Sequence, residues 1–122
     1  MEQIKAFLNQ LVDISEEDWA FFTSKLEPRF FSKKSLLLSL NEVENHISFI
    51  ESGTVRLYIP EDDPGKEITF GFCFKDEFVS AYDSFLTQLP STYQLQALTD
   101  TRMLSISYED LQSVYKHTKI GN

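Results

Sequence analysis

The sequence predicts a mainly β domain, a small jelly roll or barrel of short strands with α-helices at both ends. Apolar residues alternate with polar or small ones through the middle of the chain, and turn residues divide that region into short pieces. At either end the apolar spacing becomes helical. A chain of 122 residues with 42% apolar content can bury one core, so we expect residues 1–122 to form a single domain.

The N-terminal segment predicts two helices. The first has one apolar stripe, formed by Ile4, Phe7, Leu8 and Leu11. The second begins after Ser15, whose hydroxyl is placed to cap the backbone amide of Asp18. Its apolar face consists of Trp19, Phe22 and Leu26. Because Pro28 disfavours helical backbone at Glu27, we expect the second helix to end by that residue.

Between residues 29 and 106 the apolar spacing changes to two, which is typical of strands with one buried face. The alternating sets are Leu36, Leu38 and Leu40, then Val55, Leu57 and Ile59, then Ile68, Phe70, Phe72 and Phe74. Later strands are expected at residues 93–98 and 102–106. We expect most of the eleven phenylalanines to fill the interior of this small barrel.

Two further helices are predicted in the second half of the chain. The alternation lapses between Phe78 and Pro90, where residues at helical spacing predict a short helix that interrupts the barrel. These residues are Ala81, Ser84, Phe85 and Gln88. A final helix begins after Ser107, which is placed to cap the amide of Asp110. Its inner face is expected to consist of Leu111, Val114 and Tyr115.

Charge and composition exclude several function classes. The net charge of −8 repels phosphate backbones, so DNA would have to be bound elsewhere. A single cysteine, Cys73, and the absence of a leader or membrane-spanning stretch favour the cytoplasm and no membrane contact. His46 and His117 are far apart in sequence and are expected at the surface, so no metal site is predicted. We find no catalytic motif, and predict neither enzyme activity nor a cofactor.

Three stretches and the order of elements carry a resemblance to a known family. Residues 30–37 read FFSKKSLL, residues 49–58 read FIESGTVRLY, and residues 97–100 read ALTD. Together they resemble the N-terminal effector domain of bacterial Crp/Fnr transcription regulators, a cyclic-nucleotide-binding-like domain. The resemblance implies a jelly-roll β-barrel of that type and a role in effector sensing and transcription regulation.

The resemblance also implies where a cyclic nucleotide would bind and which side chains are replaced. The family uses a glutamate for the ribose and an arginine for the cyclic phosphate, and Ser80 and Ser91 stand at the matching positions. Losing such a charge-assisted pair costs about 2–5 kcal/mol, so we expect that neither cAMP nor cGMP is the natural ligand. The candidate effector pocket consists of Phe78, Val79, Ser80, Ala81, Tyr82, Ser91, Thr92 and Tyr93.

The pocket leaves two interpretations open. Its hydroxyl groups either bind a less charged, unidentified small-molecule effector or belong to ordinary residues of a degenerate pocket. Tyr82 is expected to complete the core, and Cys73 to behave as a small apolar residue.

The identity of the whole protein also has alternatives. We expect the family's dimerisation helix and helix-turn-helix DNA-binding domain to be absent from residues 1–122. The resemblance implies that an intact regulator forms a homodimer and contacts DNA through a C-terminal domain. The alternatives are a stand-alone protein-interaction module and a cupin-like jelly-roll enzyme.

Overall fold

The strands form two four-stranded antiparallel sheets. The computed structural model describes residues 4–6, 14–63 and 65–120. The strands are β1 (Glu27–Phe31), β2 (Leu36–Leu38), β3 (His46–Ser52), β4 (Val55–Ile59), β5 (Ile68–Cys73), β6 (Phe78–Val79), β7 (Gln94–Ala97) and β8 (Thr101–Ser107). The first sheet has the order β1-β8-β3-β6 and the second β2-β7-β4-β5. This arrangement confirms the predicted jelly-roll fold class.

The helices are α1 (Glu16–Ser24), α2 (Tyr82–Thr87) and α3 (Tyr108–His117). They pack on the outer face of the first sheet and form a helical core that includes Phe22, Phe85 and Leu111. The two sheets face each other across a barrel core that includes Ile50, Val55 and Leu95. Adjacent residues of β3 serve both cores, because Phe49 lies in the helical core and Ile50 in the barrel core.

Side-chain capping explains where α1 and α3 begin. The Ser15 hydroxyl accepts a hydrogen bond from the Asp18 amide at 3.1 Å, and the Ser107 hydroxyl accepts one from Asp110 at 3.1 Å. Both predicted caps are therefore confirmed. The second predicted helix corresponds to α1 and ends before Glu27, as expected. Leu26, which was predicted to be on its apolar face, lies just beyond the end of α1.

Two other helical predictions have different outcomes. For the first predicted helix, Ile4 is helical and buried, whereas Phe7, Leu8 and Leu11 lie outside the described residues. On α3, Leu111 and Val114 are buried as predicted. Tyr115 is exposed, so its predicted place on the inner face is wrong.

The side chains of β5 that were predicted to face the core face solvent instead. Its alternating apolar residues and the one that follows, Ile68, Phe70, Phe72 and Phe74, are each 50–55% exposed. In the pairing with β4, Gly71 lies opposite Leu57 and Cys73 lies opposite the fully buried Val55. Directly opposed residues share a face of a sheet, so the small Gly71 and Cys73 occupy the inner face. The prediction that these phenylalanines fill the barrel is therefore wrong.

The other alternating sets are confirmed in part. Leu38 and Val55 are buried, whereas Leu36, Leu40 and Ile59 are exposed. The β4 and β5 registers shift between Leu57 and Tyr58, which breaks the strict alternation. Tyr58 is buried instead of Ile59, with the Arg56 guanidinium 3.8 Å from the centre of its ring.

Replacing Gly53 with Ala is expected to destabilise the fold by about 2–4 kcal/mol. Gly53 lies in the β3–β4 turn with φ +107°, and an added Cβ would lie 2.4 Å from Thr101 Oγ1 and 2.7 Å from the Asp100 carbonyl oxygen. Gly65→Ala is the matched control, because Gly65 also has positive φ (+90°) but nothing lies within 4 Å of an added Cβ. The control is expected to cost about 1–2 kcal/mol in urea unfolding. Equal losses in the two variants would contradict the steric explanation.

Candidate functional site

A buried carboxylate fixes the start of α2. Glu44 is 7% exposed and precedes β3. Its Oε1 accepts a hydrogen bond from the His46 amide at 3.1 Å, and its Oε2 accepts one from the Ala81 amide at 3.1 Å. Ala81 is the N-cap residue of α2 and makes no side-chain cap of its own. The carboxylate therefore connects the start of β3 with the start of α2.

The backbone of Glu44 holds the rest of α2. Ser84 is buried, accepts a hydrogen bond from the Glu44 amide at 2.9 Å and donates one to the Leu89 carbonyl at 2.5 Å. The Gln88 side-chain amide donates to the Glu44 carbonyl at 3.3 Å and to the Phe85 carbonyl at 2.7 Å. The short helix predicted from Ala81, Ser84, Phe85 and Gln88 is confirmed, and its polar members anchor it to the segment before β3.

Burial perturbs the titratable groups around this carboxylate. Loss of hydration raises the pKa of Glu44, and the amides of Ala81 and His46 partly offset the rise. Arg29 also offsets it electrostatically. Burial lowers the pKa of Arg29 and the pKa of His46. His46, expected at the surface, is half-buried.

The two serines at the matched family positions are used by the fold itself. Ser80 is 2% exposed and its hydroxyl donates to the His46 carbonyl at 2.7 Å. Ser91 is 3% exposed, and its hydroxyl donates to the Tyr93 carbonyl at 2.8 Å and accepts from the Tyr93 amide at 3.2 Å. Both hydroxyls thus satisfy buried backbone groups within the chain.

Three other candidate residues lie in the cores. Val79 and Ala81 are buried in the barrel core. Phe78 packs against the helical core with its ring edge-on to Phe49, the centroids being 5.2 Å apart. Val79 and Ala81 therefore support the site from the interior, and Phe78 does so from a partly buried position.

The remaining candidates reach the surface. Thr92 is exposed, and Tyr82 is 44% exposed, so the prediction that Tyr82 completes the core is wrong. Tyr82 begins α2 directly after the buried Ala81, which places the next side chain outside the core. Tyr93 is half-buried, and its ring meets that of Phe70 at 5.0 Å and nearly a right angle. The alternation of β5 predicts an interior position for Phe70, so the sequence contains no signal that places it at this site.

Carboxylates act on the titratable groups at this surface. Burial is the main cause that raises the pKa of Tyr82, Tyr93 and Cys73. Glu44 adds to the rise at both tyrosines, Asp83 at Tyr93, and Glu77 at Cys73. The amide of Tyr82 interacts with the Tyr93 phenol and opposes the rise there. The fixed charges acting on these three groups are therefore negative.

Two surface depressions lie away from the candidate residues. One of about 760 Å³ lies between the start of α1 and the end of α3, with Asp18 and Lys116 among its lining residues. The other, of about 120 Å³, lies beside Phe30 and Arg102. Within residues 4–6, 14–63 and 65–120, no three His, Cys, Asp or Glu side chains are grouped to hold a metal ion. None of the helices described is long and apolar enough to cross a membrane.

Comparison with protein-family models decides the family. The model of the cyclic nucleotide-binding domain matches residues 28–118, from β1 through α3. The chain belongs to the cyclic nucleotide-binding domain family. This membership confirms the resemblance drawn from the sequence. A search of curated proteins by sequence finds no match.

Solved structures share the fold of this cyclic nucleotide-binding domain. The Thermus thermophilus catabolite activator protein has a TM-score of 0.71 at 20% identity over 84% of this chain and 47% of its own. The sensor domain of the transcriptional regulator DNR from Pseudomonas aeruginosa has a TM-score of 0.73 at 12% identity, over 86% of this chain and 69% of its own.

A third similar structure is the N-terminal domain of a transcriptional regulator from Streptomyces coelicolor A3(2). It has a TM-score of 0.72 at 20% identity, over 88% of this chain and 72% of its own. The structural neighbours thus include Crp/Fnr-type regulators, and this chain spans about half the length of the Thermus protein.

Replacing Glu44 with Gln is expected to remove a pH dependence of stability. Burial raises the pKa of Glu44 in the folded state above its ordinary value of 4.5, so the folded state binds the proton more tightly than the unfolded state. The stabilisation is fully present below pH 4.5 and is lost as the pH rises through the higher folded-state pKa. Urea unfolding at a series of pH values tests this. The free energy of unfolding of the wild type minus that of Glu44→Gln should fall with rising pH; a constant or rising difference would show that Glu44 is not destabilised by burial.

Proposed function

We propose that this domain is the effector-sensing part of a Crp/Fnr-like transcription regulator, and that its effector is neither cAMP nor cGMP. The observation that carries the proposal is the use of both matched serines by the fold. The Ser80 hydroxyl donates to the His46 carbonyl and the Ser91 hydroxyl to the Tyr93 carbonyl, each from a nearly fully buried position. Neither supplies the charge that a ribose or cyclic phosphate would need at that place.

The electrostatics of the site favour the same conclusion. A cyclic phosphate brings a negative charge, and the charged groups that act on Tyr82 and Tyr93 are carboxylates. Glu44 already accepts the amide hydrogen bond of Ala81 at the start of α2. An incoming anion would meet a like charge that is buried and held by backbone amides, which is unfavourable.

The regulatory role of the intact protein rests on the family and on charge. The chain carries a net charge of −8, which disfavours binding to a phosphate backbone, so DNA contact is assigned to segments beyond this domain. In this proposal the domain performs no catalysis and passes the state of its effector site to those segments.

Neither cAMP nor cGMP is expected to stabilise the domain. Thermal unfolding with each nucleotide at millimolar concentration is the measurement, with a family member that has the glutamate and arginine as the positive control. A ligand at about a hundredfold its dissociation constant adds about 2.7 kcal/mol, a shift that is easily seen. Stabilisation of this chain by either nucleotide at micromolar concentration would overturn the exclusion.

A metabolite panel tests the sensing role itself. We expect at least one small molecule to raise the melting temperature in a saturable way, since it would bind the folded state and not the unfolded chain. No stabilisation by any member of a broad panel would instead favour a protein-interaction module.

A further inference from the structure

Exposed apolar side chains lie on α2 and directly after it. Leu86 is 71% exposed and Leu89 is 62% exposed, the two highest values among the large apolar side chains in the described residues. Tyr82, four residues before Leu86, is exposed as well. Residues four apart share a face of a helix, and the buried side chains of α2, Ser84 and Phe85, belong to its inner face. The helix therefore presents an apolar face to solvent.

Hydrogen bonds place a further apolar residue beside this face. Val43 is exposed and directly precedes Glu44. The Glu44 amide donates to the Ser84 hydroxyl at 2.9 Å, and the same hydroxyl donates to the Leu89 carbonyl at 2.5 Å. The backbone next to Val43 and the backbone of Leu89 are thus held by one hydroxyl. We call the resulting surface the α2 patch, and it consists of Val43, Tyr82, Leu86 and Leu89.

The charged side chains next to the α2 patch are acidic. Residues 35–55 and 76–101, the two segments that contribute to the patch, include Asp and Glu but no Lys or Arg. Glu42 directly precedes Val43, and Asp83 lies three residues before Leu86 on α2. Both carboxylates are exposed, and neither forms an ion pair in the described part of the chain. Their charges are therefore open to a partner.

The cation that acts on this region is directed at its interior. Arg29 lies on β1 and is half-buried, with its guanidinium 4.9 Å from the centre of the Phe31 ring. The carboxylate on which it acts is that of Glu44, which is buried. Arg29 thus compensates an interior charge, and the acidic surface at Glu42 and Asp83 remains.

We propose that the α2 patch is the docking surface for a partner protein that presents a basic amphipathic helix, with its apolar face on Leu86 and Leu89 and its Lys or Arg side chains against Glu42 and Asp83. This interaction goes beyond the proposed sensing function. Single exposed apolar residues are ordinary, but contiguous ones with a polar rim are typical of interaction sites. Apolar contact supplies the affinity, and the opposite charges orient the partner.

Other occupants fit the charge less well. A second copy of the chain would bring the same carboxylates against each other, and each copy carries a net charge of −8. An anionic membrane surface would repel Glu42 and Asp83 in the same way. The acidic rim therefore selects a basic partner.

Two synthetic peptides are the probes. One is an amphipathic helix of leucine and lysine, and the other has the same pattern with glutamate in place of lysine. NMR titration of the chain should give saturable binding of the lysine peptide, with shift changes concentrated in residues 40–43 and 82–91. Binding of the glutamate peptide should be about tenfold weaker or more. Equal binding of both peptides, no binding of the lysine peptide, or shift changes elsewhere would each overturn the proposal.

Sedimentation of the free chain tests the other occupant. We expect the α2 patch to make no contact between copies. Self-association that is lost in Leu86→Ala would assign the α2 patch to a second copy and overturn the proposal. The sensing role is tested separately by the metabolite panel, so either result leaves it to be decided there.

A first pair of variants tests the apolar contact. Leu86→Ala removes most of an exposed side chain of the patch. Phe30→Ala is the control, because Phe30 is 58% exposed on β1 and lies beside a cation, with the Arg102 guanidinium 5.8 Å from its ring centre. Leu86→Ala should weaken binding of the lysine peptide about tenfold or more, and Phe30→Ala should leave it unchanged. An equal loss in the two variants would place the peptide elsewhere.

A second pair tests the charge. Glu42→Gln removes a carboxylate beside the patch and keeps an oxygen that can accept the hydrogen bond from the Ser39 amide. Glu61→Gln removes an exposed carboxylate in the loop between β4 and β5. Glu42→Gln should weaken binding of the lysine peptide about two- to fivefold, and Glu61→Gln should not. Equal effects would show that the peptide responds only to net charge, which would contradict docking at the α2 patch. Circular dichroism of each variant checks that it is folded.

Discussion

The hydrogen bonds that the Glu44 carboxylate accepts from His46 and Ala81 hold together two segments that are far apart in the sequence. That attachment fixes the start of residues 80–93, which include α2 and six of the eight candidates. A buried carboxylate is costly to ionise, and the amides of Ala81 and His46 offset part of the cost by hydrogen bonding to its charged form. The same carboxylate also acts electrostatically on Tyr82 and adds to the rise of its pKa. One interaction thus determines both the shape and the electrostatics of the site.

The sequence predicts the features that depend on local interactions. Ser15 and Ser107 each cap an amide three residues away, and that spacing is visible in the chain. Local patterns do not predict which side chains of β5 face the core, because alternation identifies two faces of a strand without showing which one is buried. The pairing of Cys73 with Val55 and the shift at Leu57 decide it, and both are contacts between strands.

The candidate site illustrates the same limit. A resemblance to the family placed Ser80 and Ser91, but their buried carbonyl partners are visible only in three dimensions. Glu44 has no sequence signal that separates it from Glu42 two residues earlier, which is exposed. The aromatic character of Tyr82 predicts a place in the core, but Tyr82 follows the N-cap of α2 and lies at the surface.

The exposed aromatic side chains of β5 raise the question of what they serve. An apolar edge strand normally invites pairing with another chain, and proteins oppose this with charges and bulges. Both devices are found here, since Lys66 and Glu67 precede β5, Lys75 follows Phe74, and the register shift lies within the strand pair. Glu67 also forms an ion pair with Arg56 of the neighbouring strand β4 at 3.2 Å. Because strand pairing is opposed in these ways, β5 can expose Phe70 and pack its ring against Tyr93 of the same chain without presenting an open edge to another chain.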